Sequence, residues 1–230
     1  MSKEKNNYLL LKKYAAKLDL CLFGVADISS IKNEFLIAAK ILKNLDRAIS
    51  LGARVSHGIL EEIEEHPTRL YFHHYRMLNN FLDHAALRLS NLIQRKGFLA
   101  IPIPASQIVD WQNQKAHLSH KKIGFLAGLG WIGRNNLLVN KKLGSQFRLV
   151  SILTDMPLKI DKPTKESCGN CFRCMEACHV GAIKEDPKDF QHLKCFEKLK
   201  EFQRQKFVDQ YICGICVRVC GAKIDKTKYL

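Results

Sequence analysis

No run of roughly 18 or more apolar residues, the length that reads as a membrane-spanning helix, occurs anywhere in the 230-residue chain. Even the apolar N-terminal region is broken by Lys12, Lys13, Lys17 and Asp19. The opening residues Met1, Ser2, Lys3, Glu4 and Lys5 lack the apolar core of a secretory signal and the Arg/Ser bias of a transit peptide. A cytoplasmic location without membrane contact is expected, and with it reduced thiols rather than disulfides. Acidic residues are scarce, 22 against 37 Lys and Arg, for a formal net charge of +15. So basic a balance favours an anionic partner: nucleic acid, an acidic electron-transfer protein or a phosphate-bearing cofactor. The lysines are scattered, with local density over 194–200 and 223–228, so a solvated face accounts for them as well.

Cysteine is also missing where most chains would scatter it: Cys21 is the only one ahead of Cys168. Its apolar neighbours Leu20, Leu22 and Phe23 suggest a buried, inert thiol. The other eight lie between Cys168 and Cys220. Cys168, Cys171, Cys174 and Cys178 form a CxxCxxCxxxC run; Cys213, Cys216 and Cys220 form CxxCxxxC; Cys195 stands between them. A 4Fe-4S cube needs one soft thiolate per iron, a CxxCxxC loop wraps three corners, and the fourth cysteine of such a run ligates the other cluster. This rule places Cys168, Cys171, Cys174 and Cys220 on one cluster. It places Cys178, Cys195, Cys213 and Cys216 on the other. Paired CxxC motifs also read as four-cysteine zinc sites, but a zinc loop needs no third cysteine at the same short interval.

With 47% hydrophobic residues, a chain of this length can bury a sizeable core in one or two domains. The cysteine segment is too short to build a core, so bound clusters would supply much of its folding energy. Residues 1–160 are expected to form an α/β domain and residues 161–230 the cluster module, an α+β chain as a whole. Periodicity predicts a short helix over 8–18, a buried strand over 22–26, and a half-buried strand over 48–56 with Ser50, Arg54 and Ser56 on its polar face. The clearest helix spans 70–96, where Leu78, Leu82, Ala85, Leu89 and Leu92 keep a three/four spacing until Gly97. His73 and His74 are adjacent and do not share a helix face, so they read as hydrogen-bonding groups rather than a metal pair. A strand over 98–103, a mostly helical segment over 115–126, and a hairpin of 136–140 with 146–155 complete the outline.

Between these last elements lies a glycine-rich segment, Gly128, Gly130, Trp131, Gly133, Arg134 and Asn135. Three glycines in six residues imply a sharp turn or a close approach by a partner. The GxGxxG spacing follows a predicted helix and precedes a strand, the inverse of the dinucleotide-binding context. Contact with some other cofactor, through backbone amides and Arg134, stands beside a purely structural turn.

The segments Gly128-Leu-Gly-Trp-Ile-Gly-Arg134, Thr154-Asp155-Met-Pro-Leu158 and the run from Cys168 to Ile183 resemble epoxyqueuosine reductase and its short relatives. The resemblance implies a cobalamin-binding α/β domain followed by a ferredoxin-like module with two 4Fe-4S clusters, and reduction of an epoxide on the wobble nucleoside of tRNA. It implies that Gly128, Gly130, Trp131, Gly133, Arg134 and Asn135 hold the corrinoid. Three departures accompany it. The family's catalytic aspartate lies in an Asp-Thr-x-Pro stretch, whereas residues 109–114 read Val-Asp-Trp-Gln-Asn-Gln; counting back from Gly128 places the acid at Gln114, and a gap would bring Asp110 into register. The helical-repeat extension that many members carry beyond the clusters is not expected here. The proline that commonly follows the last cysteine of each run is His179 in the first and Gly221 in the second.

By this resemblance, electrons from a low-potential donor enter one cluster, pass to the other and reduce a corrinoid, which acts on tRNA or on a smaller oxidised substrate. Asp110, His117 and His120 are the candidate proton donors. The contrasting expectation is an electron-transfer protein that hands electrons from two clusters to a partner, with no tRNA chemistry of its own. A nucleic-acid-binding iron-sulfur protein is a third.

Overall fold

The computed structural model describes residues 2–221; the lysine-rich stretch 223–228 lies outside them. The fold mixes helix and sheet, as expected for an α+β chain, and divides into two compact units. The first comprises Met1–Arg54, Met77–Trp131 and Arg148–Lys165; the second comprises Val55–Arg76, Ile132–Phe147 and Glu166–Leu230.

The first unit is built on a four-stranded sheet of order β1-β2-β6-β3, from β1 (Leu22–Asp27), β2 (Arg47–Arg54), β3 (Ala100–Ile103) and β6 (Phe147–Thr154). β1 and β2 are antiparallel, with Val25 opposite Ile49 and Gly24 opposite Ser50. β3 and β6 are antiparallel, with Ala100 opposite Thr154. Val25, Ile49, Leu51, Ala53, Val150 and Ile152 join one apolar core with helices α1 (Lys3–Lys17) and α4 (Arg69–Arg95). The α4 contribution is the stripe Leu82, Ala85, Ala86, Leu89 and Ile93, and Gly97 at φ +84° ends the helix.

The alternation of β2 suggests a half-buried strand, yet Ser50 is fully buried. Helix α5 (His120–Leu126) packs on β1 and β2 and covers the face that would otherwise meet solvent. α1 begins before its first apolar residue because the Ser2 hydroxyl caps it, accepting the Lys5 N–H at 3.3 Å. Conversely, α5 starts later than its sequence pattern: Ser119 caps it by accepting the Lys122 N–H. Ahead of it Asp110 holds a turn closed by the Asp110–Lys115 bridge. The short helix α2 (Ala39–Leu42) precedes β2.

Of the hairpin expected over 136–155 only the turn forms, closed by mutual bonds between Asn140 and Gly144 at 2.8 Å; its arms part. β5 (Leu138–Val139) pairs with β4 (Trp131–Ile132), while β6, apolar on both faces, takes a central place in the main sheet. The exposed edge of β1 is covered by the segment around Asp161. The Asp161 N–H donates to the Val25 carbonyl at 2.9 Å, and the Asp161 carboxylate accepts from the Val25 N–H at 3.1 Å and the Tyr8 hydroxyl at 3.0 Å. Burial and then this carboxylate push the Tyr8 phenol well above its usual range.

The second unit carries α3 (His57–Glu61), the first two turns of α4, and helices α6 (Arg173–Glu176), α7 (His192–Arg204) and α8 (Ile215–Val219). Segments 55–76 and 132–147 belong to the same unit as the cysteine segment. These supply Leu60, Ile63, Tyr71, Leu138, Val139 and Phe147 as buried side chains beside its own Phe202, Val208, Ile212 and Ile215. A Cβ at Gly214 would stand 2.6 Å from Ile63 and 2.8 Å from Tyr71, so the backbone between Cys213 and Cys216 lies directly on segment 55–76. His66 stacks on Phe207 with centroids 3.8 Å apart, and His74 accepts the Ser56 N–H at 3.0 Å. Among the described residues, no helix is long and apolar enough to cross a membrane.

Candidate functional site

Each thiol of the cysteine segment is placed by a tight turn or a short helix. The Cys171 N–H donates to the Cys168 carbonyl at 3.1 Å, closing the first loop. Cys174 rides on α6, and the Cys178 N–H returns to the Met175 carbonyl at 3.2 Å. Cys195 lies in the first turns of α7. Gly214, left-handed at φ +89°, caps α8, which carries Cys216 and delivers Cys220 at its end.

The thiols perturb one another in two groups. Burial raises Cys174 to about 11, reinforced by Cys220, Cys168 and Cys171. Burial also raises Cys220, with Cys168 and Cys171 adding to it against an opposing hydrogen bond from the Ser145 side chain. In the other group, burial raises Cys195 with help from Cys178. Cys213 is raised to about 11 by burial, with Cys195 and Cys178 adding to it against the Ile215 N–H. Burial pushes Cys216 well above the usual thiol range, and Cys213, Cys195, Cys174 and Cys178 add to it. Cys171 runs the other way, lowered by a hydrogen bond with Arg173 and by the charges of Arg173 and Arg134. Only the influence of Cys174 on Cys216 joins the two groups among these neighbours.

Among the described residues, no three Cys, His, Asp or Glu side chains gather closely enough to hold a single metal ion.

The glycine segment divides between these thiols and the first unit. A Cβ at Gly128, which sits at φ +70°, would stand 2.4 Å from the Lys162 carbonyl oxygen. Gly130 leads into β4, which Trp131 opens. Gly133 lies on the first cysteine loop: a Cβ there would stand 2.5 Å from Val139 and 3.4 Å from the Cys168 sulfur. Arg134 donates to the Cys171 carbonyl at 3.1 Å and lies over the Phe172 ring at 4.3 Å. Asn135 donates to the Ser145 hydroxyl at 3.2 Å. Three of the residues expected to touch a corrinoid thus brace the first cysteine loop or its supports.

The three candidate proton donors do not come together in one network. Asp110 is exposed and accepts the Asn113 N–H at 3.0 Å and its side-chain amide at 2.8 Å; these bonds hold its carboxyl below the usual range, so it stands ionised. His117 bonds through Nδ1 to the Leu36 carbonyl at 3.1 Å, so that nitrogen carries the proton. His120 bonds to the Pro104 carbonyl through Nε2 and to the Ser151 hydroxyl through Nδ1, both at 2.9 Å. A carbonyl only accepts, so Nε2 carries the proton and Nδ1 accepts from Ser151. Burial pushes this imidazole down to about 4. His120 is thereby neutral and fully engaged near pH 7.

Several supporting residues carry no motif in the sequence. The Gln146 side chain, 3% exposed, donates to the carbonyls of Val217 at 3.3 Å and Arg218 at 2.8 Å, satisfying the last turn of α8. The Arg218 guanidinium donates to the Ile63 carbonyl, and Arg173 donates to the Gly221 carbonyl at 2.9 Å. Burial lowers the Lys121 ammonium to about 8, which makes it a proton-exchanging group near neutral pH. Cys21 lies in an exposed residue position rather than in the core, but its thiol donates to the Gly52 carbonyl at 3.3 Å and is raised by burial.

The mixed helix-and-sheet fold and the eight thiols of the second unit define the class of protein to compare it with. No family model matches the chain. In sequence it resembles epoxyqueuosine reductases: that of Leadbetterella byssophila is 37% identical over 103 residues, 41% of this chain and 33% of that protein. That of Escherichia coli K12 is 49% identical over 59 residues, 26% of this chain and 16% of that protein. The matches therefore span a third or less of those curated relatives' length. The fold is shared with the reductive dehalogenase NpRdhA in complex with 3-bromo-4-hydroxybenzoic acid (TM-score 0.76, 17% identity, 95% of this chain and 32% of that one). It is shared too with an epoxyqueuosine reductase bound to an epoxyqueuosine-modified tRNA-Tyr stem loop (TM-score 0.66, 17% identity, 94% and 64%). A reductive dehalogenase described for B12-dependent dehalogenation matches at TM-score 0.67 (18% identity, 80% and 26%).

Proposed function

We propose that this protein is an iron-sulfur oxidoreductase of the epoxyqueuosine reductase type, with two 4Fe-4S clusters held by Cys168, Cys171, Cys174 and Cys220, and by Cys178, Cys195, Cys213 and Cys216. The observation that carries the reading is the grouping of the thiols. Their mutual perturbation follows the crossed register, in which the last cysteine of each run belongs with the other run. The donor chemistry fits: eight soft sulfurs, with Gly133 leaving room beside Cys168. When bound, such clusters supply low-potential one-electron transfer. The protein's part is to hold Cys174 near Cys216, where the two groups meet.

A corrinoid is proposed on the likeness of fold to a B12-dependent enzyme. Gly128, Gly130, Trp131, Gly133, Arg134 and Asn135 are the residues proposed to meet it; Arg134 bonds the Cys171 carbonyl through one terminal nitrogen only and keeps its buried Nε without a partner among the described residues. Epoxyqueuosine in tRNA is the proposed substrate, a smaller oxidised compound the other choice, and a low-potential carrier in the cytoplasm the electron source. The second reading is an electron carrier without tRNA chemistry of its own, which needs only the two thiol groups. Anaerobically reconstituted protein separates the two. The reductase reading expects a corrinoid to stay bound through gel filtration, and epoxyqueuosine to accumulate in tRNA nucleosides of cells lacking the protein. Unchanged queuosine and no corrinoid retention would establish the carrier.

A further inference from the structure

A buried polar chain ends beside one of the eight cysteines. Asn135 and Ser145 are 4% and 3% exposed. The Asn135 carbonyl oxygen accepts the Leu137 N–H at 3.3 Å, which turns the amide nitrogen toward Ser145, 3.2 Å from its hydroxyl oxygen. An amide nitrogen can only donate, so the Ser145 oxygen accepts and its single hydrogen must be spent elsewhere. The residue that the backbone sets beside it is Cys220.

The backbone makes this contact a built feature. The Ser145 N–H donates to the Cys220 carbonyl at 2.9 Å, fixing the two residues side by side. Gly144, at φ +59°, permits the approach, since a Cβ there would fall 1.7 Å from the Cys220 carbonyl oxygen. Gln146 then takes the carbonyls of Val217 and Arg218. Three consecutive residues thus grip the end of α8 at the point where Cys220 leaves it.

We propose that the Ser145 hydroxyl, aimed by Asn135, donates to the Cys220 sulfur and sets the reduction potential of the cluster that this cysteine helps to hold. The inference rests on the two-cluster reading given above. Adding an electron makes a cluster more negative, so a hydrogen bond to a ligand sulfur stabilises the reduced form and raises the potential. Ser145 is a positioning and tuning residue. It does not touch substrate.

The test is a redox titration, followed by electron paramagnetic resonance, of reconstituted wild type, Ser145→Ala and Ser145→Thr, each assayed for iron and sulfide. With equal iron in all three, Ser145→Ala should shift one of two midpoints negative, by a reduced-to-oxidised ratio about tenfold lower at fixed potential, or about 59 mV for one electron. The other midpoint should hold, and Ser145→Thr should restore the first. Two unchanged midpoints in fully loaded Ser145→Ala would overturn the proposal. If Ser145→Ala does not load, Asn135→Ala, which frees the hydroxyl to turn away, should give a smaller shift of the same sign, and no shift there would overturn it. Wild type that holds no two clusters would instead overturn the two-cluster reading, and this inference with it.

Discussion

Gly144 shows how sharply a single residue can be constrained by the chemistry it supports. Any side chain at this position would overlap the Cys220 carbonyl, so Gly144→Ala should displace Cys220. The reconstituted variant is expected to keep the cluster that does not use Cys220 and to lose most of the iron of the other, measured as iron per chain against wild type. His120 gives the pH dependence. Its imidazole is held near 4 in the folded protein against 6.5 unfolded, so between these values the unfolded chain takes up a proton that the folded one refuses. Stability should fall as pH drops from about 6.5 to 4 and level off below. Urea midpoints across that range should show a shallower slope in His120→Gln, and an equal slope in both proteins would contradict this assignment. The eight thiols were legible at this scale because cluster ligation imposes its spacing on the sequence. Ser145, Gln146 and Lys121 were not, because a hydroxyl, an amide or an amine gains its role only from what the fold sets beside it. Arg134 was visible as a singular residue, but its partner, the Cys171 carbonyl, lies 37 positions along the chain.

At the scale of elements, periodicity succeeded where one face of a segment decides its fate. Helix α4 keeps its apolar stripe and stops at Gly97 as its sequence indicates. It failed where a distant element covers the second face: α5 buries Ser50, and β6 leaves its sequence neighbour β5 for the centre of the sheet. The edge of β1 depends on a similar long-range contact. Asp161 accepts from Tyr8 and Val25, so Asp161→Ala would leave a buried hydroxyl and a strand N–H without their acceptor. Each such loss costs about 1–3 kcal/mol, and denaturant unfolding should report a destabilisation of roughly 2–4 kcal/mol, allowing for partial rescue by water. A change under about 0.5 kcal/mol, the range of ordinary surface substitutions, would show that the staple does not hold the edge.

For the whole molecule, bound clusters are the expected source of the cysteine segment's folding energy, but its unit also contains two upstream segments, 55–76 and 132–147. Their recruitment could not be read from a linear boundary near residue 160, because the contacts that define it, such as Gly214 on Tyr71 and Arg218 on Ile63, join residues far apart in sequence. The central claim is the crossed assignment of the eight thiols, and iron content with electron paramagnetic resonance of the reconstituted Cys178→Ala/Cys213→Ala double variant tests it most directly. In the crossed register both substitutions strike the same cluster. The account predicts about four irons per chain and a single 4Fe-4S signal on reduction. In an uncrossed register each cluster loses one ligand, and damage to both clusters would contradict the assignment.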